Sequence, residues 1–297
     1  MLIVTYNIQF GCGRDRRIDI DRIARTIADA DVAILQEVER NWREGPHSDQ
    51  AARLGELMPG HHWVHGATTD LDGSRKGAHG RITNIRRRFG NMILSRRPIV
   101  STRTVPLPTL PVSGHINDQS SLLEAVIDNG ERPFRVYNIH LNHISRRQRL
   151  MQLAIALPFI ADSAARGGMI TAPNFKGELS AADWLALPGG KLPAMPSAAI
   201  FAGDFNSATD GPEYDLLTGP LDPVFGRITE ADRFADALTL SGLPESEGAT
   251  FPASNGKPAA RIDHCLVSID LIARVKRAWI ELEIETVPPQ GDVCSKC

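Results

Sequence analysis

Short apolar runs, each closing on a polar cluster, recur along the chain. The first, "LIVTYNIQF", reads as a buried strand that ends at Gly11 and Gly13. "IDIDRIARTIADA" places Ile20, Ile23, Ala24 and Ile27 on one helical stripe. "DVAILQEV" is a second buried strand, and its polar close delivers Gln36 and Glu37 to an edge. "SDQAARLGELMPG" predicts a helix stopped by Pro59 and Gly60. The arginine-rich stretch from Thr68 to Gly90 predicts a loop. "NMILS", "SSLLEAVID" and "FRVYNIHL" predict strands, the last again turning polar at its C-terminal end. "SRRQRLMQLAIALPFIADSAA" predicts a serine-capped amphipathic helix. Residues 167–197 are rich in Gly and Pro and predict a long excursion with at most one short helix. "AAIFAGDFN", "ARIDHCLVS" and "RVKRAWIELEIE" predict the closing strands. With no repeat and no low-complexity linker, the pattern describes one α/β domain of mixed sheets.

Composition narrows this little. Apolar residues make up 42% of the 297, enough for a substantial core. A net charge of -2 does not advertise a nucleic-acid or membrane surface. The first residues lack the features of a signal peptide, and no apolar run is long enough to span a bilayer. Four cysteines are too few for a disulfide framework at this length, so the expectation is a cytoplasmic chain with reduced thiols.

The chemistry lies where the strands end: Asn7 in "TYNI", Glu37 in "LQEV", His140 in "YNIHLNH", Asp204 and Asn206 in "AGDFN", Asp263 in "RIDH". Rigid apolar runs can bring such groups together on one rim of a sheet. Carboxylate and amide oxygens suit a hard cation such as Mg2+, and a histidine with amide donors suits the charge on phosphoryl oxygens. Each position alone has a plainer reading. Asn7 could bond a loop backbone, Glu37 could pair with a surface arginine, and His140 could be a satisfied core histidine. "GDFN" could be a turn, and Asp263 with Arg261 could be an edge ion pair. Six of them in this arrangement favour a site.

"TYNI", "LQEV", "GNMILSR", "YNIHL", "GDFN" and "RIDHCLVS", in this order, resemble the motifs of the endonuclease/exonuclease/phosphatase superfamily, from the first strand to about residue 285. The resemblance implies a four-layer α/β/β/α sandwich of two mixed β-sheets with helices on the outer faces and the site at one end. It implies Mg2+, or Mn2+, on Glu37 with Asn7 beside it. His140 would bind the scissile phosphate, Asp204 would orient or activate water, and Asn206 would contact the phosphate. Asp263 would orient the catalytic histidine. Asn91 would lie near the phosphate or serve the strand.

The resemblance stops short of the end. Relatives usually close with S-D-H and an apolar strand; here stands "GDVCSKC", with Asp292 but no histidine beyond His264. His264 follows Asp263 on a strand and so points to the other face, leaving His143 as the candidate substitute. The expectation is a domain over residues 1–287 and an atypical, disordered tail over 288–297. Cys294 and Cys297 lack the partners of a zinc or redox module there. Two functional readings follow. One is a metal-dependent phosphoesterase with its rate reduced by the missing base, acting on a phosphate ester, with nucleic acid among the candidates. The other is an inactive relative that binds phosphate-bearing ligands or a partner. The basic stretches "RITNIRRRFG" and "ISRRQRL" would flank the site and attract a polyanion.

Overall fold

The computed structural model describes residues 1–45, 48–130, 132–171, 177, 193, 195–253 and 258–281. In chain order its first half comprises β1 (Ile3–Asn7), α1 (Ile20–Thr26), β2 (Val32–Arg40), α2 (Gln50–Leu57), β3 (His62–Asp72), the short pair β4 (Arg75–Lys76) and β5 (Ile82–Thr83), and β6 (Arg86–Ser95). There follow β7 (Ile99–Pro106), β8 (Ser121–Ile127), β9 (Phe134–His140), α3 (Arg146–Arg166), β10 (Ala199–Asp204) and α4 (Pro212–Thr218). The last elements are the pair β11 (Leu221–Asp222) and β12 (Gly226–Arg227), β13 (Phe234–Asp236), α5 (Ala237–Leu240) and β14 (Asp263–Ser268).

Two large sheets organise these elements. One has the order β1-β2-β6-β3, the other β13-β14-β10-β9-β8-β7. Both are mixed: β1 runs parallel to β2 and β10 parallel to β9, and the other neighbours are antiparallel. Alternation along the strands explains the layers. Val32, Ile34 and Ile93 of the first sheet meet Leu123, Val136, Ile200 and Ala202 of the second in a buried middle layer. The intervening Ala33, Leu35 and Met92 face outward and pack under Ile20, Ile23 and Leu54 of α1 and α2. On the other outer face Tyr137, Ile139 and Phe201 pack under Leu153, Ile160 and Leu217 of α3 and α4. The result is a four-layer α/β/β/α sandwich.

Toward one end of the sandwich the middle layer becomes polar. Asn138 of β9, fully buried, receives a hydrogen bond from Gln36 Nε2 at 2.8 Å and donates to the Leu35 and Met92 carbonyls at 2.8 and 3.0 Å. Its own carbonyl accepts from Asn91 Nδ2 at 3.3 Å. A strand of one sheet is thereby tied to two strands of the other by directional bonds, which apolar packing alone would not provide.

The structure departs from the sequence pattern in several places. Thr68–Gly90 is not a loop: its two ends belong to a long antiparallel hairpin of β3 and β6, and between them β4 pairs with β5. Arg86 and Arg88, two apart and therefore on one side of β6, both pair with Asp70 across the hairpin at 2.8 and 3.2 Å. Arg87, on the opposite side, lies 5.4 Å from the Trp42 ring centroid. β7 and β13 were not apparent from periodicity. The predicted strand "RVKRAWIELEIE" is absent over its described part: 275–281 follow a 3-10 turn, Ile269–Arg274, and form neither helix nor strand. Most of the 167–197 excursion and all of 282–297, with Cys294 and Cys297, lie outside the described residues.

Replacing Asn138 by alanine would leave buried carbonyls and the Gln36 amide without partners, at roughly 1–3 kcal/mol for each orphaned group. Asn138→Ala is therefore expected to lower stability by about 3 kcal/mol or more, read from chemical denaturation. A loss below about 1 kcal/mol would remove this seam from the account of sheet docking.

Candidate active site

The polar end of the middle layer opens into a cleft between the two sheets. Glu37, Thr68, Phe89, Gly90 and Asn91 of the first sheet line one side. Asp118, Gln119, Ser120 and His140–His143 line the other.

Three local features aim the side chains. First, the pairing of β2 with β6 slips between Leu35 and Val38, a bulge that sets Gln36 and Glu37 against Asn91 alone. Glu37 takes the left-handed backbone conformation, φ 61°, and so points away from the regular alternation. A second slip, between Ala67 and Thr69 of β3, faces the same stretch of β6, where a Cβ on Gly90 would collide with the Gly66 carbonyl. Second, β9, β10 and β14 align their ends. Asp204 lies opposite His140 on one side and opposite Asp263 on the other. The three residues therefore form a row across the sheet. Close approach of these strands relies on Gly203, at φ 148°, where any side chain would strike the Ile139 carbonyl. Third, Asn206 also holds a left-handed backbone, φ 48°, and turns the chain beneath Asp204. Strained conformations of this kind cost on the order of 1–3 kcal/mol each and persist where the surroundings over-determine them.

Asn7 joins the halves. Its Nδ2 donates to Glu37 Oε1 at 2.9 Å and to Asp204 Oδ2 at 3.0 Å, while its Oδ1 accepts from the Gln9 N–H at 3.0 Å. The same Asp204 oxygen lies 3.7 Å from His140 Nε2. The other Asp204 oxygen accepts the Asn206 N–H at 2.9 Å. The structure thus unites Asn7, Glu37, His140, Asp204 and Asn206, with Asp263 next in the row. Asn206 spends its side-chain amide on the Leu141 carbonyl at 2.9 Å. Asn91 lines the cleft, but its Nδ2 is given to the Ser121 and Asn138 carbonyls.

Asp263 has an altered acidity. Burial, followed by the neighbouring Asp204 charge, pushes its carboxyl up to about 7. A side-chain hydrogen bond with Thr250 and the nearby His264 and His140 work against this.

Arg261 does not pair with Asp263; it reaches buried Asp236 at 3.4 Å. His264 points to the outer face as alternation requires, its ring 5.2 Å from that of Tyr214 and its Nε2 against the Ser207 carbonyl. The basic stretches are partly spent internally: Arg86 and Arg88 on Asp70, and Arg149 on the fully buried Glu213 at 2.8 Å.

Sequence reasoning missed the second cleft wall. Asp118, Gln119 and Ser120 carry no apolar pattern to mark them. The turn after β9 is held by a buried amide cluster. Asn142 Oδ1 accepts the Ile144 and Ser145 N–H groups at 3.1 and 2.8 Å, and its Nδ2 donates to Asn117 at 2.6 Å. Gln152 accepts the Asn142 N–H at 3.0 Å. An asparagine three residues before a helix-capping serine was the available signal.

Sequence and structure comparisons agree with this fold. The Endonuclease/Exonuclease/phosphatase family profile matches residues 4–284, and the chain belongs to that family, whose members act on phosphoester bonds. An endonuclease/exonuclease/phosphatase from Beutenbergia cavernae DSM 12333 superposes with a TM-score of 0.55 at 22% identity, over 90% of this chain and 64% of that one. The mannosyl-6-phosphatase of Bacteroides thetaiotaomicron VPI-5482 gives 0.54 at 18% identity, over 91% and 86%. TDP2 from Caenorhabditis elegans gives 0.51 at 15% identity, over 90% and 63%. This chain thus spans under two thirds of the first and the last. At these identities the likeness is one of fold. The comparison with curated proteins finds no match.

The weakened acidity of Asp263 sets a stability profile. Between the ordinary carboxylate range and about 7 the unfolded chain releases this proton while the folded one keeps it. Stability contributed by Asp263 is therefore present at low pH and lost as pH rises through that window. With a chelator present, the Tm of Asp263→Asn relative to the parent should shift in the variant's favour from pH 4.5 to pH 7.5. A pH-independent difference would contradict the assignment.

Proposed function

We propose that the protein is a divalent-metal-dependent phosphoesterase that hydrolyses phosphodiesters, with phosphomonoesters as the second substrate class. The observation that carries this is the joined row of Glu37, Asn7, Asp204 and His140, assembled across two sheets by bonds of 2.9 and 3.0 Å. The donor set fits a hard cation. The carboxylate oxygens of Glu37 and Asp204 dominate, with the Asn7 nitrogen between them and its Oδ1 turned to the Gln9 N–H. Among the described residues no three His, Cys, Asp or Glu side chains close on one point. An ion on Glu37 would then keep most of its water, the habit of Mg2+, and of Mn2+ in its place. Such an ion supplies Lewis acidity and neutralises developing phosphoryl charge.

The protein's own groups supply the rest. Asp204, held at one oxygen by Asn7 and at the other by the Asn206 N–H, is a fixed acceptor for a water proton. His140 presents its imidazole from the same row to the phosphoryl oxygens. Asn206 steadies the Leu141 carbonyl at the base of the cleft. Asp263 adds a second carboxyl whose burial favours the protonated form. Nucleic acid stays within the substrate range through exposed arginines such as Arg81 and Arg147.

The test is hydrolysis of bis(p-nitrophenyl) phosphate with MgCl2 or MnCl2. Turnover should vanish with chelator and fall by at least about a hundredfold in Glu37→Ala and in His140→Ala. Equal rates in the parent and Glu37→Ala would overturn the reading. A parent that binds phosphate but turns nothing over would support the inactive-relative alternative.

A further inference from the structure

We infer that His143 is the group that protonates the leaving oxygen, an assignment that rests on the phosphoesterase reading above. Asp263 and Asp204 flank His140 on one side, on β14 and β10. On the other side β8 runs beside β9, with Leu122 opposite Ile139, and the residues just before β8, Asp118–Ser120, line the cleft together with His143. A phosphoryl group beside His140 therefore has carboxylates on one flank and the 118–120 and 141–143 segments on the other.

Displacement at phosphorus is in line: the attacking and leaving oxygens lie on opposite sides. Water loses its proton most easily on the carboxylate flank, so the leaving oxygen emerges on the flank of His143. The other polar groups there are committed or unsuited. Both amide atoms of Asn142 are engaged, the oxygen by Ile144 and Ser145 and the nitrogen by Asn117. Gln119 Nε2 donates to the Leu107 and Ser120 carbonyls. Asp118, ionised, only accepts. A serine hydroxyl is a poor acid. His143 remains: exposed, lining the cleft, and, among the described residues, without a hydrogen-bond partner for its ring.

The turn that carries it is also fixed. Asn117, Gln152 and the Arg149 guanidinium, which donates to the Asn142 carbonyl at 3.1 Å, clamp the residue just before it. Buried Glu213 holds Arg149 in turn. Such a clamp suits a side chain that must meet a reacting atom.

The water oxygen bonds to phosphorus and its proton passes to the carboxylate flank. The bond from phosphorus to the leaving oxygen breaks, and its electron pair stays on that oxygen. The leaving oxygen takes the proton of the His143 imidazolium, and the neutral ring recovers a proton from solvent after release.

Leaving-group dependence tests this, because a merely structural residue would not sense it. Parent, His143→Gln and His143→Ala would be assayed on methyl p-nitrophenyl phosphate, whose leaving group is acidic, and on methyl phenyl phosphate, whose leaving group is not. The variants should lose a few-fold in kcat/KM on the first and about a hundredfold on the second. Loss by one common factor, or no loss, overturns the assignment while the parent's Glu37-dependent turnover stands. A parent inactive on both esters removes the phosphoesterase reading and this assignment with it.

Discussion

Burying an amide where two sheets meet is costly unless every hydrogen bond is made, and that constraint governs this end of the molecule. Asn138 satisfies it by bonding Gln36 and the backbones of β2 and β6. The bonds have direction, so the sheets can dock in one register. A slip of one residue would turn apolar side chains outward and orphan the amide. Glu37 follows Gln36 directly, and Asp204 lies two strands from β8 on the sheet that carries Asn138. The position of one carboxylate relative to the other therefore derives from the seam below them.

Above the seam the chemistry is arranged by opposition. Three carboxyl groups gather at one rim, from Glu37, Asp204 and Asp263. Their mutual repulsion is relieved in two ways. Asn7 places one amide nitrogen between Glu37 and Asp204. Asp263 gives way by holding its proton to about 7, owing to burial and then to Asp204. The left-handed backbones at Glu37 and Asn206 are the local cost of this arrangement.

Much of this was legible in the sequence because the positioning elements are apolar runs with sharp polar ends. "AGDFN" delivers Asp204 where a buried strand gives out, whereas "LQEV" places Glu37 at a bulge inside β2, which runs on to Arg40. The helix stripe of Ile20 and Ile23 and the Ser145 cap of α3 were read from spacing alone. Other features obey rules that hydropathy does not register. Arg86 and Arg88 look like loop residues until Asp70 is found across the hairpin. β7, "IVSTRTVP", does not alternate: Ser101 is buried, Val100 is exposed, and Arg103 turns inward to Glu124. The stretch after Arg274 has isolated apolar residues, and Trp279 lies 49% exposed under the Arg277 guanidinium rather than in a sheet. Asn138, Asn142, Gln148 and Gln152 are buried amides, and a pattern that reads polar as exposed misplaces all of them.

β1 is the outermost strand of its sheet, bonded along its length to β2 alone. Yet it carries Asn7, the sole bridge drawn between Glu37 and Asp204 among the described residues. Peripheral strands fray at free energies well below that of global unfolding. When the end of β1 frays, the two carboxylates lose their shared donor and repel one another while the sandwich stays folded. The bridge between the two carboxylates thus rests on a five-residue edge strand, whereas the sandwich rests on its core.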